Sequence, residues 1–283
     1  MTEIKVVGIG ELLWDMLPTG KVAGGAPANF AYFAGQEGAD ACVVSAVGDD
    51  ALGREILFRL DEKNIKHIVA TDREHATGTV AVTVDRGIPS YVINENVAWD
   101  YIRLTPEAVA AVKNADVVCF GTLACRHKVA RESVMKALRM TKDGAIRFFD
   151  VNLRGDYYNR ELLKELLSQS TVLKLNNEEA STLRRLFVYD GDDASFIRFL
   201  MREYDLDYAV FTAGADYSRV YAKNGGESFI KTPRVDVVDT VGAGDAFSGS
   251  FAVSLLKGMS FKDAHRRAVD IAAAVCAKAG AWG

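Results

Sequence analysis

The run Asp239-Thr240-Val241-Gly242-Ala243-Gly244-Asp245-Ala246-Phe247 concentrates the residue types in this sequence best suited to chemistry. It leads into an apolar helical pattern at Ala246, Phe247, Ala252, Val253 and Leu256. Glycines ahead of a helix let backbone N–H groups converge on one point, where the helix dipole adds positive potential. Such a turn suits a phosphate. Asp245 then needs a reason, because a carboxylate repels an anion. It either caps the helix or accepts the proton of a hydroxyl attacking phosphorus. Local sequence leaves both open.

A second candidate is Ala23-Gly24-Gly25-Ala26-Pro27-Ala28-Asn29-Phe30. Two glycines permit close backbone approach, Pro27 suits the first turn of a helix, and Asn29 offers both a donor and an acceptor. An ordinary loop-to-helix junction has the same composition. Asp15, after the first strand, either accepts hydrogen bonds from a polyol or is a solvated loop acid. Gly8-Ile9-Gly10 begins a dinucleotide fingerprint, but Leu13 occupies the third glycine position, so that reading fails. The sequence contains no GxxxxGK[ST], HExxH, CxxC or GxSxG pattern. Its four histidines (His67, His75, His127, His265) lack metal-ligand spacing and are expected on the surface.

The elements that must position these residues alternate along the chain. Ile4–Ile9, Cys42–Val47, Val117–Phe120, Ile146–Phe149, Val172–Leu175 and Tyr208–Thr212 read as buried strands, apolar without alternation. Amphipathic helices lie between them, with Leu52, Ile56, Leu57 and Leu60 on one face of the first. Ala130, Val134, Ala137 and Leu138 share a face in another. Thr105-Pro106 reads as an N-cap followed by Pro, and Ser260 with Asp263 as a capping box. The expected fold is α/β, a mostly parallel central sheet flanked by helices on both faces. Thr79–Val84 departs from this by alternating polar and apolar, with a turn at Asp85–Pro89 and an extended Ser90–Ile93. It is expected to form a small β flap. The predicted organisation is one domain over 1–283, with the flap drawn from about 11–23 and 77–101.

Composition narrows the classes. Hydrophobic residues at 49% and charged residues at 25% exclude disorder. The net charge of −4, without a basic stripe, excludes a dedicated nucleic-acid binder. Cys42, Cys119, Cys125 and Cys276 sit mostly in apolar stretches and read as free thiols of a reducing compartment. The N-terminus lacks signal-peptide character, and the apolar stretch near Ala268–Ala279 is broken by Asp270 and Lys278. A cytoplasmic protein is expected.

Taken together the motifs resemble the ribokinase-like (PfkB) family of carbohydrate kinases. Gly24-Gly25-Ala26-Pro27-Ala28-Asn29, with Val47-Gly48-Asp49-Asp50 and Gly53, is similar to that family's first signature, and Asp239–Phe247 to its second. The resemblance spans essentially the whole chain. It implies that Gly242, Ala243, Gly244 and Asp245 form the catalytic turn, with Asp245 as general base. It implies sugar contacts at Asp15, Gly25 and Asn29, and ATP contacts at Lys174, Asn176, Glu179, Thr212 and Gly214. Within these, Asn176 and Glu179 match the family's NxxE motif, linked to Mg²⁺ and phosphate. Asp239 and Val241 fall where many relatives hold a monovalent cation, so K⁺ joins ATP and Mg²⁺ as an implied ligand. The flap resembles the family's sugar-covering lid, which often pairs two subunits, so a homodimer is expected. The chain departs from many relatives at Tyr217, where they keep a glycine.

The loop Gly-Gly-Ala-Pro-Ala-Asn is more similar to fructokinases than to ribokinases. Asp150-Val151-Asn152-Leu153-Arg154 resembles both fructokinases and 2-keto-3-deoxygluconate kinases, and Arg154 either touches substrate or braces its loop. A fructokinase is the expectation. A 2-keto-3-deoxygluconate kinase, a ribokinase, a nucleoside kinase using Tyr91, Trp99 and Tyr101, or a non-catalytic sugar sensor are the alternatives.

Overall fold

The computed structural model describes residues 3–18, 20–85 and 88–282. In chain order the elements are β1 (Lys5–Ile9), β2 (Leu13–Leu17), β3 (Gly20–Gly24), α1 (Ala26–Gln36), β4 (Asp40–Gly48), α2 (Ala51–Glu62), β5 (Lys66–Asp72), β6 (Gly78–Asp85) and β7 (Ile88–Ile93). There follow α3 (Pro106–Asn114), β8 (Val117–Gly121), α4 (Lys128–Arg139), β9 (Ile146–Asp150), α5 (Arg160–Ser168), β10 (Val172–Asn176), α6 (Asn177–Phe187) and α7 (Asp193–Glu203). The chain closes with β11 (Tyr208–Ala213), β12 (Tyr217–Ala222), β13 (Glu227–Lys231), α8 (Ala243–Leu256) and α9 (Phe261–Cys276). Every expected strand is present.

A nine-stranded sheet runs β13-β12-β11-β10-β9-β8-β1-β4-β5, parallel from β11 to β5 with an antiparallel pair at one edge. Consecutive apolar residues on these strands serve opposite faces. Phe149 packs with Val7, Phe120, Leu163 and Leu200, whereas Phe148 packs with Phe30, Val43, Phe251 and Ala268. That is why the strands read as unbroken apolar runs. Strand order reverses between β1 and β8, and ligands of such sheets bind beyond the carboxyl ends of strands at the reversal.

Helix α8 is buried from Ala246 to Ser254, enclosed by α1, α9 and the sheet. Gly249 allows this packing, since a Cβ there would stand 3.0 Å from the backbone of α1. Gly8 and Gly10, the truncated fingerprint, also serve close approach: a Cβ on Gly8 would stand 2.2 Å from the Pro27 carbonyl oxygen. Thr105 and Ser260 act as N-caps, accepting from Ala108 N and Asp263 N. At Ser260 the reciprocal bond differs from a capping box, because its hydroxyl donates to the Asp263 carboxylate at 2.6 Å.

The second sheet has the order β3-β2-β6-β7. The expected flap strands are there, though Arg86, Gly87 and the side chain of Tyr91 lie outside the described residues. Its base is fastened by the Asp50 carboxylate, which accepts Gly53 N, Thr77 N and the Thr77 hydroxyl at 2.7–2.8 Å. Trp14 Nε1 donates to Leu52 O, resting the sheet on α2. Beyond the sheet, a 3-10 turn at Ala98–Tyr101 returns to the main body, where Trp99 is fully buried and Tyr101 stacks on His75.

One expectation is overturned. His265 is buried, not on the surface, because α9 places it between two hydroxyls: Nε2 meets Ser218 Oγ at 2.8 Å and Nδ1 meets Ser228 Oγ at 2.9 Å. Both ring nitrogens being satisfied, the ring tolerates burial, and burial lowers its pKa to about 4. The other three histidines are half-buried. All four cysteines are free, with Cys119 and Cys125 buried. Among the described residues no helix is long and apolar enough to cross a membrane.

Candidate active site

The carboxyl ends of β8 and β9 meet the N-terminal parts of α1 and α8 around a small cleft. Cys119, Gly121, Asp150, Asn152, Asp245 and Ser248 contribute to its lining. Gly242 opens α8 in the left-handed region at φ 79, and a Cβ there would stand 2.6 Å from Ala281 Cβ. Only glycine satisfies both demands. The first turn of a helix leaves N–H groups without intrahelical partners, a feature suited to an anion, although here Ala243 N donates to Thr240 O at 3.2 Å.

Asp245 lies in that first turn and makes no capping bond. Its Oδ2 accepts from Asn29 Nδ2 at 2.8 Å, across 216 residues of sequence. The capping alternative is therefore not what the structure shows. Burial, and then the nearby Asp150 carboxylate, push the Asp245 pKa up to about 7, against the Asn29 hydrogen bond and the cations Lys174 and Arg154. Part of Asp245 stays open to the cleft. A carboxyl poised near neutral pH and reachable from solvent is suited to receive a proton.

On the β1 side, Gly25 has φ 130 and begins α1, and Asn29 is 5% exposed with Oδ1 buried and unpartnered among the described residues. Asp15 stands on β2 opposite Val22, and burial raises its pKa while Arg154 opposes the rise. Arg154 is exposed, and its Nη1 donates to Leu153 O at 2.9 Å. It thus braces its own loop, while its charge also acts on Asp15 and Asp245.

On the β10 side, Lys174 Nζ donates to Asp150 Oδ2 at 2.7 Å with both side chains buried. Burial works against the lysine charge, yet the Asp150 carboxylate outweighs it and raises the pKa. The ammonium lies 3.3 Å from where a Gly244 Cβ would stand, directly under the glycine turn. Ser248 Oγ is 3.0 Å from both Asp150 Oδ2 and Gly244 O. Asn176 and Glu179 form a reciprocal cap on α6: Glu179 N donates to Asn176 Oδ1 at 2.9 Å and Asn176 N donates to Glu179 Oε2 at 2.8 Å. Glu179 Oε1 accepts Leu153 N, tying α6 to the Arg154 loop.

Thr212, next to last in β11, is in register with Asn176, and Gly214 follows the strand at φ 51, its carbonyl accepting from Thr232. Tyr217 starts β12 and packs on Phe211 and Phe229, so the departure from glycine is absorbed in a regular hairpin. Asp239 accepts Val241 N and Gly280 N, each at 3.0 Å, joining the catalytic loop to the last turn of the chain.

Sequence reasoning missed Glu11. It is 3% exposed at the β1–β2 corner and within the field of Asp245. A lone acid inside Ile9-Gly10-Glu11-Leu12-Leu13-Trp14 was the available signal, since such an acid is buried with its neighbours or held by them. The roles of Asp150 and Ser248 had no such signal, because only the fold brings them under Gly244.

A doubly wound sheet with a glycine turn at a helix N-terminus and an acid beside it is an arrangement suited to a phosphate-bearing ligand. The pfkB family carbohydrate kinase model matches residues 13–282. The chain belongs to that family. It is 29% identical to a putative sugar kinase of Pyrococcus horikoshii, over 98% of this chain and 91% of the other. It is 28% identical to fructokinase-2 of Zea mays, over 89% of this chain and 80% of the other. The solved ATP complex of the Pyrococcus horikoshii sugar kinase superposes with a TM-score of 0.82 at 26% identity, covering 98% and 94% of the two chains.

Proposed function

We propose that this sugar kinase transfers the γ-phosphoryl group of ATP to a primary hydroxyl of fructose. The observation that carries the reading is Asp245, held by Asn29 at the mouth of the Gly242–Gly244 turn with its pKa near 7. The sugar hydroxyl gives its proton to Asp245 as its oxygen bonds to phosphorus, and the bond from phosphorus to the β-phosphate oxygen breaks to release ADP. First-turn amides of α8 and the Lys174 ammonium beneath Gly244 offset charge on the transferred group.

Mg²⁺ in kinases is typically carried on the nucleotide phosphates and waters with one or two protein carboxylates. Glu179 is the family-matched acid on that side, and bound Mg²⁺ would neutralise the β and γ phosphates. Each Asp239 oxygen accepts one backbone N–H and keeps lone-pair capacity, so Asp239 with Val241 would be the place for K⁺.

Asn29 Oδ1, buried and without a donor among the described residues, and Asp15 on the small sheet suit the hydroxyls of a neutral polyol. The charge of Arg154 is shared among Asp15, Glu11 and Asp245, so it is not reserved for an acidic sugar. The small sheet serves as the lid, excluding water from ATP. Its exposed Met16, Leu17, Val22 and Val92 would pair two subunits.

Asp245→Asn should lower kcat by about 10²–10⁴-fold while ATP binding persists. Coupled ADP release with fructose, ribose, 2-keto-3-deoxygluconate and adenosine tests the acceptor. Wild-type turnover in the variant would refute the base. A preference for another acceptor would refute fructose alone, and no ADP release with any would favour a sugar sensor.

A further inference from the structure

The β6–β7 hairpin of the small sheet leaves and rejoins the main body at one buried stack of side chains. At its entry Gly78 opens β6, and a Cβ there would stand 2.4 Å from Trp99 Nε1. At its exit two successive carbonyls are held from outside the sheet. Ile93 O, at the end of β7, accepts from the Tyr157 hydroxyl at 3.2 Å, and Asn94 O accepts from Arg126 Nη2. The Arg126 guanidinium lies over both the Trp99 and the Tyr157 rings, 4.0 and 4.8 Å from their centroids. Its Nε and Nη2 donate to the two Asp100 oxygens at 2.7 and 2.8 Å, and the two side chains are 5% and 2% exposed. Arg126 Nη1 is buried with no partner among the described residues.

We propose that Arg126 and Tyr157 are positioning residues for the sugar acceptor, a clasp that fixes the root of the small sheet to the loop carrying Arg154. Each end of the clasp leads to a charged residue of the acceptor side. Asp15 on β2 stands in register with Val80, two residues along β6 from Gly78. Tyr157 N donates to Arg154 O at 3.3 Å, so the ring closes the turn that carries Arg154. The near end of that loop is pinned separately, by Glu179 at Leu153 N. A buried ion pair adds little net stability over apolar residues of the same size. A guanidinium fork, by contrast, fixes a carboxylate, a carbonyl and two rings in one geometry. Lys174, Asn176 and Glu179 on the nucleotide side make none of these contacts, being bonded to Asp150, α6 and Leu153. A loosened clasp should therefore be felt by the acceptor and not by ATP. The inference rests on the reading that the small sheet covers the acceptor.

Peptide-resolved amide exchange of the full chain, wild type against Tyr157→Phe, tests the clasp without any substrate. Phenylalanine keeps the ring beside Arg126 and removes only the hydroxyl. Exchange should quicken by about threefold to tenfold in both 92–101 and 152–159, the loss of one hydrogen bond, and stay unchanged in α8. The kinetic readout uses whichever of fructose, ribose, 2-keto-3-deoxygluconate and adenosine the wild type turns over best. Its KM should rise by about the same factor, with the KM for ATP held within about twofold. Arg126→Lys keeps a charge beside Asp100 without the fork, and should exceed Tyr157→Phe in both readouts. In either folded variant, exchange that changes in one segment alone or in neither would overturn the proposal. So would an unchanged acceptor KM, or a KM for ATP that rises in step with it. No ADP release from the wild type with any acceptor would sink the kinase reading instead, and the exchange comparison would still decide the clasp.

Discussion

Two groups of buried acids face each other across the carboxyl ends of the sheet, and they are built on opposite principles. Asp150 has Lys174 and Ser248, and Glu179 has two backbone N–H groups. Asp245 has one amide from Asn29, and Glu11 keeps an oxygen with no partner among the described residues. The first pair spends its hydrogen-bonding capacity on architecture. The second leaves capacity open, and burial there brings the Glu11 and Asp245 pKa values up to about 7. Unsatisfied burial is tolerated where it confers reactivity, and the completed bonds opposite keep the frame rigid enough to hold it.

Breaking the satisfied side should be the more damaging to stability. Lys174→Met strands the Asp150 carboxylate in a buried site and should cost about 3–5 kcal/mol, read by chemical denaturation. The double variant Lys174→Met with Asp150→Asn should recover part of that loss. On the reactive side the sign reverses. Asp245 has a folded pKa raised to about 7 from 3.8, so the native state loses stability as pH rises from about 4 to about 7. Asp245→Asn removes that penalty and should be more stable than wild type by ~1–3 kcal/mol at pH 8, with the gap closing toward pH 4. A variant less stable at pH 8 would mean that Asp245 is as well satisfied as Asp150, erasing the contrast. Smallest is Glu179→Ala, which unties α6 from the Arg154 loop and should cost about 1–2 kcal/mol. Faster amide exchange at Leu153 would report it.

The fold was legible because buried parallel strands announce themselves as apolar runs, and the caps at Thr105 and Ser260 as short polar signals. Asp245 was visible as an acid in a glycine turn, but its partner was not. Asn29 lies 216 residues away, and a loop-to-helix junction has the same composition. Lys174 illustrates the limit most clearly. In sequence it is a lysine within an apolar strand. Only the neighbouring strand, in register at Asp150, explains its burial and places it beneath Gly244. His265 failed for a similar reason: the two serines that satisfy it come from β12 and β13, invisible to any local pattern. Glu11 was overlooked because a single acid beside a glycine corner looks like a loop residue.

The contact between Gly242 and Ala281 makes Ala281 a backstop for the glycine turn that the proposed chemistry uses. A methyl group fits there and leaves no room for a larger neighbour. Variation at position 281 should therefore register as lost turnover before it registers as lost folding, even though that residue carries no reactive atom.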